Sequence, residues 1–160
     1  MISIEVCSRP GRVSYLRLGG DGGDRREPGR DRPPGEGASP AERSVLVVED
    51  ESDALESIVE LLESEGYHAV GAHNGQEALD ALRAGLHPRL ILLDLKMPVM
   101  DGWDFCAVLA GDRDLAEIPI AIVTASASLP TLPARRRDAG FFVKPINFDR
   151  LLRTVRQICG

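Results

Sequence analysis

No stretch of this chain approaches the ~20 consecutive apolar residues that a membrane-spanning helix requires. The segment from Met1 to Val13 carries Glu5 and Arg9 where a secretory signal would keep an unbroken apolar centre. These two absences lead us to expect a soluble, cytoplasmic protein with no membrane partner. Cysteine is scarce as well: Cys7, Cys106 and Cys159 stand far apart and form neither a CxxC zinc pattern nor a disulfide framework. A reduced compartment fits them. There is no internal repeat, no GxGxxG after a strand, no GxxxxGK[ST] and no HExxH, which removes the common dinucleotide, P-loop and zinc-hydrolase signatures. Basic charge is in deficit, with 19 Lys+Arg against 25 Asp+Glu and a formal net charge of −6. Nucleic-acid binding needs a basic face for phosphate contacts, so no nucleic-acid partner is expected.

What is present divides at residue 43. Residues 1–43 hold eight of the 16 glycines, five of the 11 prolines and eight arginines, with few large apolar residues after Leu18. Such a segment buries too little apolar surface to offset roughly 1–2 kcal/mol of backbone entropy per ordered residue, so it is expected to be a disordered extension. Residues 44–160 carry eleven Lys+Arg against eighteen Asp+Glu and leave 117 positions for one compact domain.

Within that domain strand and helix patterns alternate five times. Val45–Val48, Tyr67–Ala72, Leu90–Leu93, Pro119–Thr124 and Phe141–Val143 read as short strands, and the all-apolar runs among them suit burial on both faces. Between them, Leu55, Ile58, Val59 and Leu62 make one helical stripe, with Ser52 as its cap and Gly66 as its stop. Asn74-Gly75 opens a second helix, Gly102 a third with Phe105, Cys106 and Leu109 inward, and Asn147 a last one bearing Phe148, Leu151, Leu152, Val155 and Ile158. Alternation of this kind implies an α/β fold: a doubly wound, five-stranded parallel sheet.

Each strand but the second ends on a polar group suited to phosphoryl chemistry: Glu49-Asp50, Asp94, Thr124 and Lys144. Ligands bind at this carboxyl edge in open parallel sheets. A lone acid at a strand end is more often a helix cap or a turn residue; five groups falling on successive strand ends are not explained that way. A carboxylate such as Asp94 can attack phosphorus, but it brings one anion toward another. Mg²⁺ resolves that conflict, since it favours carboxylate and water oxygens. Lys144 supplies a point charge for phosphoryl oxygens, and Thr124 a hydroxyl donor.

These segments resemble the receiver domain of two-component response regulators across residues 44–160. Val-Val-Glu49-Asp50-Glu51 is similar to the family's acidic pair. Leu-Leu-Asp94-Leu-Lys-Met-Pro98-Val-Met-Asp101-Gly102 is similar to its phosphoacceptor segment and is the most specific block. Ile-Val-Thr124-Ala125 and Phe-Val-Lys144-Pro145 match the other two. The resemblance implies a flavodoxin-like sheet of order 2-1-3-4-5 and a cis Lys144-Pro145 bond. It implies that Asp94 takes a phosphoryl group from a histidine kinase or histidine phosphotransfer protein. It further implies Mg²⁺ bound by Asp50, Asp94 and the Lys96 carbonyl, with Glu49 acting through water, and a switch pair of Thr124 and Phe141. The phosphoryl lifetime would depend on side chains next to the site, such as Lys96 and Ser126.

The interval from Thr124 to Lys144 is short for the family. Pro130 and Pro133 fall where its fourth helix should lie, so that helix is expected to be short, displaced or irregular. The Arg135–Arg137 run reads as a solvated face. His68, His73 and His87 read as surface residues, Met97 and Met100 as packing, and Trp103 as half-buried. Because the last helix ends at Gly160, the expectation is a stand-alone regulator that signals to a downstream target protein by contact and is not an enzyme. The alternative is a phosphorylation-independent module of the same fold. A related phosphohydrolase would want an acid at position 96, which is lysine.

Overall fold

A strand covered on both faces needs apolar side chains at both parities of its alternation, and four of the five strands in the main sheet meet that need. They are Ser44–Val48 (β1), His68–Ala72 (β2), Leu90–Asp94 (β3) and Ile120–Thr124 (β4), joined at the edge by Asp138–Val143 (β5). All pairings are parallel, in the order β2-β1-β3-β4-β5, as the resemblance implied. The structure, a computed structural model, describes residues 43–125 and 138–160. It also describes the backbone of a two-residue antiparallel pair, Ile4–Glu5 with Arg17–Leu18. The expectations for the remainder of residues 1–43, for Ser126 and for the segment containing Pro130, Pro133 and Arg135–Arg137 lie outside the described residues.

Four helices are described: Ser52–Ser64 (α1), Gly75–Arg83 (α2), Gly102–Ala110 (α3) and Phe148–Cys159 (α4), with a short 3₁₀ turn at Leu115–Glu117. Side-chain alternation along the strands divides the core into two layers. Val45, Val47, Leu90, Leu92, Ala121 and Val123 meet the stripes of α1 and α4. Leu46, Val48, Ile91, Leu93 and Ile122 meet α2 and α3, with Phe105, Cys106 and Leu109 inward on α3 as its sequence pattern requires. Burying one such side chain contributes about 1.5–3 kcal/mol, so a one-residue slip of register would disrupt both layers.

The same division opens a crevice. From the carboxyl end of β1 the chain leaves toward the α1–α4 layer, and from the adjacent end of β3 it leaves toward the α2–α3 layer. Two neighbouring strands whose connections diverge to opposite faces leave a gap above their ends.

Local signals behave as their chemistry dictates, with three corrections. The Asn74 and Asn147 side chains accept from the backbone N–H of Glu77 and Arg150, so both cap their helices. Ser52 does not cap α1. Glu51 holds the extended cap position, with φ −79° and ψ 112°, and Ser52 is already helical. Phe148 precedes the buried run of α4 and is 44% exposed, while Cys159 takes an inward position beside Leu151, Leu152 and Val155. β5 begins at Asp138, earlier than its apolar run, and a bulge between its pairings with Ile120 and Ala121 absorbs the extra residue. The Lys144-Pro145 bond is cis.

Candidate functional site

Register decides what stands at the crevice. Val48 pairs with Leu93, Asp94 with Val123 and Thr124 with Val143. Glu49 and Asp94 therefore stand level, with Thr124 a step beyond and Lys144 a step beyond that, at the carboxyl edge of four adjacent strands. Glu49 is kept in the ladder by its own N–H, which donates to the Ala72 carbonyl at 3.0 Å. Its side chain turns inward and accepts from the Glu51 N–H at 3.3 Å. Asp50, one residue on, is exposed, yet the turn brings it round. Glu49, Asp50 and Asp94 each offer a carboxylate oxygen within 4.8 Å of the others.

Lys144 closes the cluster. Its Nζ lies 2.7 Å from Glu49 Oε2 and 3.2 Å from Asp94 Oδ2. Its backbone N–H donates to the Thr124 carbonyl at 2.8 Å, which ties β5 to β4 at the site. Glu49, Asp94 and Thr124 are all nearly buried. Burial pushes the Glu49 carboxyl above its usual range; the hydrogen bond from Lys144 resists that rise, and the charge of Asp94 adds to it. Burial pulls the Lys144 ammonium down, but its contacts with Glu49 and Asp94 outweigh that and leave it raised.

With all four groups ionised, three carboxylates face one ammonium, leaving two negative charges in a partly buried crevice. A hard divalent cation suits that donor set. The oxygens are close enough to share one ion, and exposed Asp50 leaves a side open to water, as Mg²⁺ prefers. Lys96, whose carbonyl the family resemblance gives to the metal, has its N–H on Asp94 Oδ1 at 3.2 Å and is exposed.

Thr124 is buried at the end of β4. Phe141, on β5, pairs with Ile122 of β4, is half-buried and packs against the α2–α3 layer. Its neighbour Phe142 faces the other layer, with the Arg150 guanidinium 5.1 Å from the ring centroid. His68 and His73 are partly buried and His87 is exposed, and none contributes a ring nitrogen to the acidic cluster.

Sequence reasoning missed the wall beside Asp50. A cleft of about 410 Å³ is lined there by Asp50, Leu95, Lys96, Met97, Pro98, Asp101 and Trp103. Asp101 also caps α3, accepting from the Asp104 N–H at 2.9 Å. The Asp101-Gly102 pair before an apolar helix was the available signal for that cap. Nothing in the sequence marked Trp103 as lining a cleft.

A family model for the response regulator receiver domain matches residues 45–156. The polar-differentiation response regulator DivK of Brucella ovis is 34% identical over 121 residues, a match covering 74% of this chain and 97% of DivK. Among solved structures, the signal receiver domain of a signal transduction histidine kinase from Syntrophus aciditrophicus superposes with a TM-score of 0.64 at 31% identity, covering 72% of this chain and 89% of that one. The chemotaxis response regulator CheY4 of Vibrio cholerae does so with a TM-score of 0.61 at 27% identity, covering 72% and 97%.

Proposed function

This chain belongs to the response regulator receiver domain family, and from that we infer that it is a phosphoryl-accepting switch with Asp94 as the acceptor. The observation that carries this reading is the gathering of the Glu49, Asp50 and Asp94 carboxylates at one strand edge, with the Lys144 ammonium on Glu49 and Asp94.

The donor in this reading is a phosphohistidine on a histidine kinase or histidine phosphotransfer protein. A carboxylate oxygen of Asp94 attacks phosphorus in line with the bond to the donor's imidazole nitrogen. The O–P bond forms as the P–N bond breaks, and the departing nitrogen takes a proton from solvent. Asp50, Asp94 and the Lys96 carbonyl would hold Mg²⁺, with Glu49 assisting, and the bound ion would supply the positive charge that lets two anions approach. Lys144 moves from a carboxylate partner to a phosphoryl oxygen, so its charge is already in place when the group arrives. The Thr124 hydroxyl donates to the same phosphoryl group, and Phe141 repacks as Thr124 is drawn in. The phosphoryl group thereby biases two packings of one domain, and a downstream target protein binds one of them. The chemistry acts on the protein itself, so the output is a contact rather than a turnover. The acidic surface, the DivK likeness over nearly that protein's whole length and the lack of a long apolar helix among the described residues agree with signalling in solution.

Intact-mass analysis after incubation with acetyl phosphate tests this. Wild type should gain one phosphoryl group only with Mg²⁺ present, and folded Asp94→Asn should gain none. No gain in folded wild type would instead favour an interaction module that works without phosphorylation.

A further inference from the structure

The loop joining Asp94 to α3 is clamped at both ends, and between the buried Met97 and the partly buried Met100 it exposes Pro98 and Val99. At the clamp, the Gly102 N–H donates to the Leu95 carbonyl at 2.9 Å. A Cβ on Gly102 would stand 2.7 Å from the Asp94 carbonyl oxygen, so the start of α3 is pressed onto the end of β3. Between these points residues 98–100 rest on two backbone hydrogen bonds. The Met100 N–H donates to the Pro98 carbonyl at 2.8 Å, and the Gly75 N–H, at the start of α2, donates to the Met100 carbonyl at 3.0 Å.

The first of these bonds closes a three-residue γ-turn centred on Val99, whose φ is 67°. A γ-turn with positive φ is the rarer, strained form, and a β-branched residue suits that region least. Val99 is the only non-glycine residue with positive φ among the described residues. Its side chain is 84% exposed, so no packing compensates the strain. Strain of this kind persists only where the surroundings over-determine it. Here the surroundings are the two hydrogen bonds and the Met100 side chain, which lies over Gly75 and packs against the α2–α3 layer, while Val99 itself adds nothing.

We propose that residues 96–101 form a two-position latch hinged at Val99. In the closed position Met100 bridges the γ-turn and the first turn of α2, supplying a partner for a helix N–H that has none inside the helix. In the open position Val99 relaxes to negative φ, and the Pro98–Met100 and Met100–Gly75 bonds are given up to water together. The clamp at Gly102 stays shut, so Asp94 keeps its place while the loop beyond it moves. Because Lys96, Met97 and Pro98 line the cleft beside Asp50, opening shifts one wall of that cleft. Valine makes the latch easier to open than asparagine or glycine would, since either tolerates positive φ at lower cost. The latch goes beyond the phosphoryl reading, and its test requires neither metal nor phosphoryl donor.

The test is amide hydrogen exchange by NMR on the full chain without Mg²⁺, comparing wild type with Val99→Asn and with Val99→Gly as a second relief of the same strain. The Gly75 and Met100 amides report the two latch bonds. The Arg150 N–H, bonded to Asn147 Oδ1 at the start of α4, reports local opening elsewhere. After correction for intrinsic rates, both latch amides should slow together by about tenfold in Val99→Asn, equivalent to about 1.4 kcal/mol, while Arg150 is unchanged. The Val99→Gly chain should move in the same direction. Unchanged latch amides, slowing at one of the two alone, or equal slowing at Arg150 would each overturn the latch.

Discussion

The Lys144 ammonium sits 2.7 Å from the nearly buried carboxylate of Glu49, and the same nitrogen reaches Asp94 at 3.2 Å. Two acids held this close would repel one another without a shared cation. Lys144 therefore serves the fold itself, because it neutralises part of the charge that the strand ends bring together.

Replacing Lys144 by methionine leaves that charge uncompensated. Removing one partner of a fully buried pair costs about 3–5 kcal/mol; the Lys144 side chain is a quarter exposed, so we expect about 2 kcal/mol, measured by urea unfolding at neutral pH. The deficit should shrink on acidification, because Glu49, already raised by burial, then takes up a proton in the native state. A deficit that does not change with pH would mean that lost packing, not lost charge, is responsible.

Asp50 differs because it is exposed. Asp50→Asn should relieve repulsion in the cluster and so not lower stability without metal, but should weaken Mg²⁺ at least about tenfold, measured by titration calorimetry or by the emission of Trp103, which lines the same cleft. Wild type should gain about 2.7 kcal/mol at a Mg²⁺ concentration of 100 times Kd. Chelation should remove that gain, and the variant should show much less of it at the same concentration. Equal affinity in the two chains would remove Asp50 from the ligand set.

Much of this arrangement was legible in the sequence because apolar runs bounded by glycine, proline or acids leave few choices of strand. Once the strands are parallel and adjacent, their last residues converge whatever the details. Asn74 and Asn147 were readable as caps because a short amide before an apolar stripe has one good use. The features that escaped depend on contacts distant in sequence. Whether Glu51 or Ser52 caps α1 is decided by the turn that also delivers Glu49 and Asp50 to the crevice. The first residues of β5, Asp138 to Gly140, carry no apolar pattern and are strand by virtue of pairing with β4. No sequence cue places a valine at positive φ; the bond from Gly75 to Met100 holds the loop there.

Gly102→Ala tests the clamp behind Asp94. Its Cβ would meet the Asp94 carbonyl oxygen at 2.7 Å and the Leu95 Cα at 2.8 Å, both backbone atoms with no rotamer to escape through. Overpacking of this kind costs about 1–3 kcal/mol. Because β3 must give way, phosphoryl uptake from acetyl phosphate should fall along with the urea midpoint. By contrast, Gly111 has no Cβ neighbour closer than 3.5 Å, so Gly111→Ala should leave uptake intact. Wild-type uptake in Gly102→Ala would show that the acceptor tolerates a displaced strand end.

Alkaline pH should destabilise the fold in two stages. Burial raises the Cys159 thiol above its ordinary 9.0, against the pull of Arg89, and the Lys144 ammonium ends above its ordinary 10.5. In both cases the native state holds its proton longer than the unfolded chain. Above each unfolded value, then, the unfolded state binds fewer protons and stability falls as pH rises. The Lys144 contribution is fully present below about 10.5 and is lost as pH climbs through its folded value; the Cys159 decline begins near 9. Urea unfolding between about pH 8 and 11 should show both. Cys159→Ala should remove the earlier decline and keep the later one, and Lys144→Met should do the reverse. A flat profile through about pH 9 in wild type would mean that water reaches the thiol at the end of α4 despite its burial.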